Sequence, residues 1–303
     1  MFEIFGIPSQ ALFSQLLIGL INGSFYALLS LGLAVIFGML NIINFAHGAL
    51  YMMGAFCAYF LLSLTGIGYW WALLIAPIVV GIFGMILERT MLQWLAGLDH
   101  LYGLLLTFGI ALIVQGVFQN YFGSSGLPYA IPDYPQIGEW RGLQGGMNLG
   151  FMFLPNYRAW VIVASLVTCL ATWFVIEKTK LGAYLRAATE NPTLVQAFGI
   201  NVPRMITLTY GFGVALAGLA GVMAAPIYQV NPLMGADLII VVFAVVVIGG
   251  MGSIFGAIVT GFGLGVIEGL TKVFYPEASN TVIFIVMAIV LIIKPAGLFG
   301  TQK

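Results

Sequence analysis

Charge is what this sequence has least of. Lys and Arg total 10, Asp and Glu total 10, and charged residues are 7% of 303 positions against 61% hydrophobic. A water-soluble domain carries about 25% charged residues, so a chain with a mean hydropathy of +1.08 cannot face water over most of its area. The formal net charge is zero, which argues against a nucleic-acid partner, since that would call for a basic stripe. Cysteine is equally scarce. Cys57 and Cys169 lie in apolar runs and form neither a CxxC pair nor a ligand cluster, so buried thiols are a simpler reading than a disulfide or a metal site. The first basic residue is Arg89. Without a positive amino-terminal region, the apolar start reads as a mature membrane segment rather than a cleaved signal. No Gly-Lys dipeptide occurs, so there is no P-loop, and HExxH and GxSxG elements are missing as well. These absences argue against an enzyme, and if transport is driven by ATP, another subunit must bind it.

What the sequence does have is long apolar runs. A bilayer core about 30 Å thick needs about 20 apolar residues per helix. Candidate spans fall near 11–39, 45–64, 69–87, 101–122, 159–177, 204–225, 236–252, 253–272 and 280–295. The expected fold is therefore all-α: one polytopic transmembrane bundle over 1–303, with eight or nine segments and Gly-rich breaks. The first span is long, and Asn22-Gly23 is a candidate break within it. Gly213, Ala217, Gly221 and Ala225 recur every four residues, as do Ala257, Gly261, Gly265 and Gly269. Such small-xxx-small faces let helix backbones approach in lipid.

Two polar connections stand out. Residues 123–158, with Asp133, Glu139 and Arg141, read as an extramembrane loop. Residues 178–203 carry Lys178, Lys180, Arg186 and Glu190 just after Glu177. Alternating through the spans puts Arg89, Lys178, Lys180, Arg186, Arg204, Lys294 and Lys303 on one side, and Arg141, Arg158 and Lys272 on the other. Basic residues are retained on the cytoplasmic side. The second loop and the carboxyl terminus are therefore expected to be cytoplasmic, and the first loop periplasmic. With nine crossings the amino terminus lies outside; with one re-entrant segment it lies inside.

A charge at mid-bilayer costs roughly 2.5–3.5 kcal/mol on insertion scales, and ion-coupled carriers keep such residues for coupling. Here Glu88 and Arg89 close a span and Asp237 opens one, where a carboxylate suits a helix amino terminus. Glu268 stands four residues before Lys272, the spacing of a helical ion pair. No carboxylate stands alone in mid-span, which leaves a proton or a voltage little to act on.

The loop 178–203 reads as two short helices. The first runs through Ala188. Asn191-Pro192 marks a turn, with Asn191 as cap and Pro192 at the first helical position. The second runs 192–198 and stops at Gly199. A compact helix–turn–helix at a membrane face suits docking into a cleft on a partner; an interfacial connector is the plainer alternative. The segment Leu181–Met223, LGAYLRAATENPTLVQAFGINVPRMITLTYGFGVALAGLAGVM, resembles the coupling loop of the Liv-type branched-chain amino acid permeases of ATP-binding-cassette importers. Gly32–Ala55, with INFAHG at its centre, is similar to a second signature of that family, and Ile248–Gly256 (IGGMGSIFG) matches a third stretch. INFAHG points to the first of the family's two permease types.

The resemblance implies a non-catalytic transport subunit in a bacterial inner membrane. Its partners would be a second permease, two ATP-binding subunits and a periplasmic substrate-binding protein, with ATP and Mg used only by the ATP-binding subunits. Arg186, Ala187, Glu190, Asn191, Ala197, Gly199 and Ile200 would lie in the ATPase-coupling segment. The solute would be a branched-chain or other small amino acid; relatives that carry urea, amides or aromatic acids, and a self-contained carrier or channel, are the alternatives. Asn41, Asn44 and His47 are polar residues at i, i+3 and i+6 between two apolar spans. They share a helix face if that stretch is helical, or cap broken ends if it turns. Either they satisfy hydrogen bonds at a break or they line the path. Gly249, Gly250 and Gly252 form the candidate counterpart in the second half.

Overall fold

The computed structural model describes residues 3–4, 7–40, 42–95, 98–132, 142–150 and 152–300. Asn41, Asp133, Glu139, Arg141 and Lys303, singled out above, lie outside the described residues. The described chain is a helix bundle: α1 (Ser9–Leu40), α2 (Ala46–Thr65), α3 (Tyr69–Thr90), α4 (His100–Phe122), α5 (Asn156–Lys178), α6 (Lys180–Glu190), α7 (Pro192–Ala197), α8 (Val202–Tyr228), α9 (Ala236–Gly249), α10 (Ile254–Phe274) and α11 (Val282–Ile293). Two very short antiparallel hairpins, one before α1 and one before α5, complete it. Among the described residues, seven helices are long and apolar enough to cross a bilayer. The other two apolar helices, α9 and α11, have 14 and 12 residues. At 1.5 Å per residue they reach about 21 and 18 Å, short of a ~30 Å core.

Local chemistry sets the helix starts. Asp99 accepts from the Leu101 N–H at 2.9 Å to cap α4, Asn201 from the Arg204 N–H at 3.1 Å to cap α8, and Ser253 from the Gly256 N–H at 3.1 Å to cap α10. Asn22-Gly23 does not break α1, contrary to the expectation from sequence: the helix is continuous from Ser9 to Leu40. One glycine costs a helix only about 1 kcal/mol. Here Gly23 lies where a Cβ would come within 3.1 Å of the Gly261 carbonyl and the Phe262 backbone, so α10 packs directly against α1 at this point.

The centre of the bundle is α1 against α10 and α8 against α1, α2 and α3. Both small-residue stripes lie on these contacts. Gly265 meets the backbone of Gly19 and Gly23, Gly261 that of Ala27, and Gly221 that of Tyr51 and Ala55. Cys169 is buried, Cys57 half-buried, and both are free thiols.

Contacts also fix which helix ends share a face. The end of α3 meets the start of α8, where Thr207 donates to Glu88 at 2.6 Å. Arg186 on α6 donates to the Ile176 carbonyl near the end of α5 at 2.9 Å. The segment after α11 bonds to the end of α9, Leu298 N–H to the Ile248 carbonyl at 2.8 Å. This end carries Arg89, Lys178, Lys180, Arg186, Arg204 and Lys294. At the opposite end, Tyr157 donates to the Met223 carbonyl at 2.8 Å and lies 3.0 Å from the Tyr69 hydroxyl, to which Trp160 donates at 3.2 Å. Amphipathic rings of this kind suit a membrane–water boundary.

Candidate functional site

The connection between α1 and α2 is not helical at residues 42–44 and turns into the bundle. Of the two sequence alternatives for this stretch, the turn is the one found. Non-helical backbone at such a place must be satisfied by protein, and Thr107 of α4 does it. Its hydroxyl accepts from the Phe45 N–H at 3.1 Å, and the Ile43 carbonyl lies 3.2 Å away. Asn44 is buried and donates to the Tyr210 hydroxyl at 2.9 Å. His47, fully buried on the first turn of α2, places Nε2 3.1 Å from the Leu29 carbonyl. Leu29 lies inside α1, where its carbonyl already serves the helix. Asn44 Oδ1 and His47 Nδ1 have no partner among the described residues. Neither side chain lines any of the described cavities.

The second break separates α9 from α10. Gly250 (φ 100°) and Gly252 (φ 83°) adopt left-handed backbone, open to glycine because it has no Cβ. The break is closely packed. Gly249 abuts Gly256, Gly250 abuts Gly300 and Ala296, and Gly252 lies beside Gly38 near the end of α1. α9 itself ends at Gly249, three residues short of the span expected from sequence.

At the same end of the bundle as the two breaks sits the α6–α7 protrusion. α6 continues to Glu190, beyond Ala188, and α7 stops at Ala197, one residue early. Asn191 caps α7 by accepting from the Leu194 N–H at 3.0 Å, Pro192 opens it, and Gly199 (φ 83°) ends the unit. Ala188, Val195 and Val202 form a small core of their own, with Ile200 packed against it. Ala187, Glu190, Asn191, Ala197 and Gly199 face outward. Arg186 is held at its base by the Ile176 carbonyl and by Glu177 at 3.5 Å. Gly182 fits so closely on the Ile176 carbonyl that no side chain has room there. Arg186 and Gly252, picked out separately in the sequence, line one cavity of about 100 Å³ with Gly38 and Thr209. Leu194 and Phe198 are apolar yet 55% and 77% exposed. Sequence reading passed over these two, although apolar residues left over once Val195 and Val202 fill the small core were the available signal.

At the opposite end the Glu268–Lys272 pair expected from its spacing is found, within a polar cluster whose other members sequence reading missed. Glu268 accepts from the Tyr26 hydroxyl at 2.7 Å and from Asn22 at 3.4 Å, and pairs with Lys272 at 2.5 Å. Asn22 in turn accepts from Tyr228 at 2.9 Å. Beside this cluster a cavity of about 350 Å³ opens between α1, α2, the end of α8 and the start of α9. A second cavity, about 160 Å³ and mostly apolar, lies between α2, α4 and α9. Among the described residues there is no group of His, Cys, Asp and Glu able to hold a metal ion.

A bundle of long apolar helices, with two closely packed breaks and a small folded protrusion at one end, defines a multi-pass membrane protein. Residues 15–291 match the family model described as the permease component of branched-chain amino acid transport systems, and the chain belongs to that family. It is 29% identical over 299 residues to the high-affinity branched-chain amino acid permease protein LivH of Escherichia coli, covering 95% of this chain and 96% of the relative. It is 31% identical to BraD of Pseudomonas aeruginosa over 301 residues, with the same coverage. The E. coli permease protein LivM matches at 30% over 297 residues, 92% of this chain and 68% of that longer relative. No solved structure matches.

Proposed function

We propose that this chain is one of two permease subunits of an ATP-driven importer that moves branched-chain amino acids across a bacterial inner membrane. The observation that carries this is the full-length likeness to LivH and BraD, permease proteins of branched-chain amino acid transport systems. The partial match to LivM agrees with a second, related permease as partner. ATP and Mg are handled by two separate ATP-binding subunits, and a periplasmic binding protein delivers the solute.

The basic residues gather at the end that carries α6 and α7, which supports that end as cytoplasmic, together with the carboxyl terminus. The outward face of α6–α7, with Ala187, Glu190, Asn191, Ala197, Leu194 and Phe198, docks into the ATP-binding subunits. Displacement there passes into α5 through Arg186 and Gly182, and into α8 through the Val195–Val202 contact. α8 is keyed to α1, α2 and α3 by close glycine contacts, so its movement carries the centre of the bundle. The two breaks, around Asn41–His47 and Gly249–Gly252, are where the bundle bends. Asn44 and His47 tie the first break to α8 and α1 and exchange partners as it opens.

Uptake of labelled L-leucine, L-isoleucine and L-valine by cells with and without this gene tests the substrate. Loss of uptake on deletion, restored by the plasmid-borne gene, is the expected result. Undiminished uptake of all three, with loss of urea or amide uptake instead, would reassign the solute.

A further inference from the structure

The cavity of about 350 Å³ at the end opposite α6–α7 is walled by Asn22, Phe25 and Tyr26 of α1, Tyr51 of α2, Tyr228 of α8, and Met234, Asp237 and Leu238 at the start of α9. Its volume falls at the lower end of the ~300–1,000 Å³ typical of small-molecule sites. Two independent features make it more than a packing gap. Tyr51 is fully buried, and its hydroxyl has no hydrogen-bond partner among the described residues. A buried, unpaired hydroxyl costs free energy and is uncommon in a folded protein. The start of α9 faces the same space through Asp237 and Leu238; its N-cap residue Gly235 offers no side-chain cap, and the Ala236 N–H is taken by the Leu233 carbonyl at 3.0 Å. The first-turn N–H groups of a helix have no intrahelical acceptor and carry the positive end of its dipole. An unpaired phenol and a helix amino end without a side-chain cap together suit an anion such as a carboxylate. The exposed carboxylate of Asp237, on that same turn, adds a partner for a cation next to it. Phe25, Met234 and Leu238 supply apolar wall.

We infer that this cavity is a binding site for a zwitterionic α-amino acid with an apolar side chain. The Tyr51 hydroxyl and the start of α9 receive its carboxylate, and Asp237 receives its ammonium. An α-amino acid carries these two charges on groups bonded to one carbon, close enough for one helix turn offering both amides and a carboxylate to meet them together. Glu268 is engaged by Tyr26, Asn22 and Lys272, so it holds Asn22 and Tyr26 in place while Lys272 balances its charge. The inference rests on the importer reading, under which this end of the bundle is where solute arrives.

The test uses the full-length chain in lipid nanodiscs, with L-leucine, leucinamide (no carboxylate) and isocaproate (no ammonium) as probes. L-Leucine is expected to bind at least about tenfold more tightly than either analogue, the effect of losing a charge-assisted hydrogen bond. Tyr51→Phe should weaken L-leucine about tenfold without lowering the thermal midpoint, because the lost hydroxyl pairs with nothing in the unliganded fold. Asp237→Asn should weaken L-leucine and leave isocaproate unchanged. Affinities of both variants within twofold of the parent, or equal binding of the three probes, would overturn the site. Leucine uptake in cells separates the two readings. Uptake that depends on this gene but is untouched by Tyr51→Phe and Asp237→Asn sinks the site alone; uptake independent of the gene sinks the importer reading and the site with it.

Discussion

α1 and α4 are both long apolar helices without a charged side chain, yet they occupy opposite environments. Of the most apolar stretch of α1, 78% is buried in the bundle; of α4, 17%. Their glycines show why. Gly19, Gly23 and Gly32 of α1 lie against backbone of α10 or α8, whereas Gly109 and Gly116 of α4 face open space. In lipid, apolar character only admits a helix to the membrane; backbone approach decides which helices form the centre. The difference teaches that close backbone contact, not hydropathy, separates the centre of the bundle from its perimeter.

The sharpest way to break this contrast is to fill a central contact. Gly265→Leu would drive a side chain into the backbone of Gly19 and Gly23. A loss of about 3 kcal/mol or more is expected, read as absence of a monodisperse peak in fluorescence size-exclusion. Next comes Glu268→Ala, which strips Lys272, Tyr26 and Asn22 of their shared acceptor. About 2 kcal/mol is expected, less than for a fully buried pair because Lys272 is partly exposed; Glu268→Gln should recover part of it in a thermal melt. Thr107→Val leaves the Phe45 N–H and the Ile43 carbonyl unpaired at the first break. A cost of about 1–2 kcal/mol is expected, with the midpoint lowered accordingly. At the perimeter the sign reverses. Gly116→Ala meets nothing and should leave stability unchanged or raise it by up to about 1 kcal/mol. A marked loss there would erase the distinction between centre and edge.

Much of the fold was legible because hydropathy, helix caps and small-residue spacing are local signals. Asn191, Pro192 and Gly199 marked the α6–α7 unit within a residue or two, and the stripes Gly213–Ala225 and Ala257–Gly269 marked the central contacts. Asn22-Gly23 misled because a local break signal was outweighed by packing from α10, more than two hundred residues away. The same distance hid the Tyr26–Glu268 bond and the cavity beside it. No spacing in the sequence announces that Asn22, Tyr51, Tyr228 and Asp237 converge. Thr107 was invisible for a related reason: a lone threonine in an apolar run gives no hint of which backbone it serves.

The protrusion offers the most direct measurement. In vesicles containing the assembled importer, Leu194→Asp with Phe198→Asp should abolish ATP-dependent leucine accumulation and release the ATP-binding subunits, while the permease keeps its thermal midpoint. The chain alone should accumulate nothing. Uphill accumulation by the chain without any ATP-hydrolysing subunit, or normal coupling in the double variant, would contradict the account.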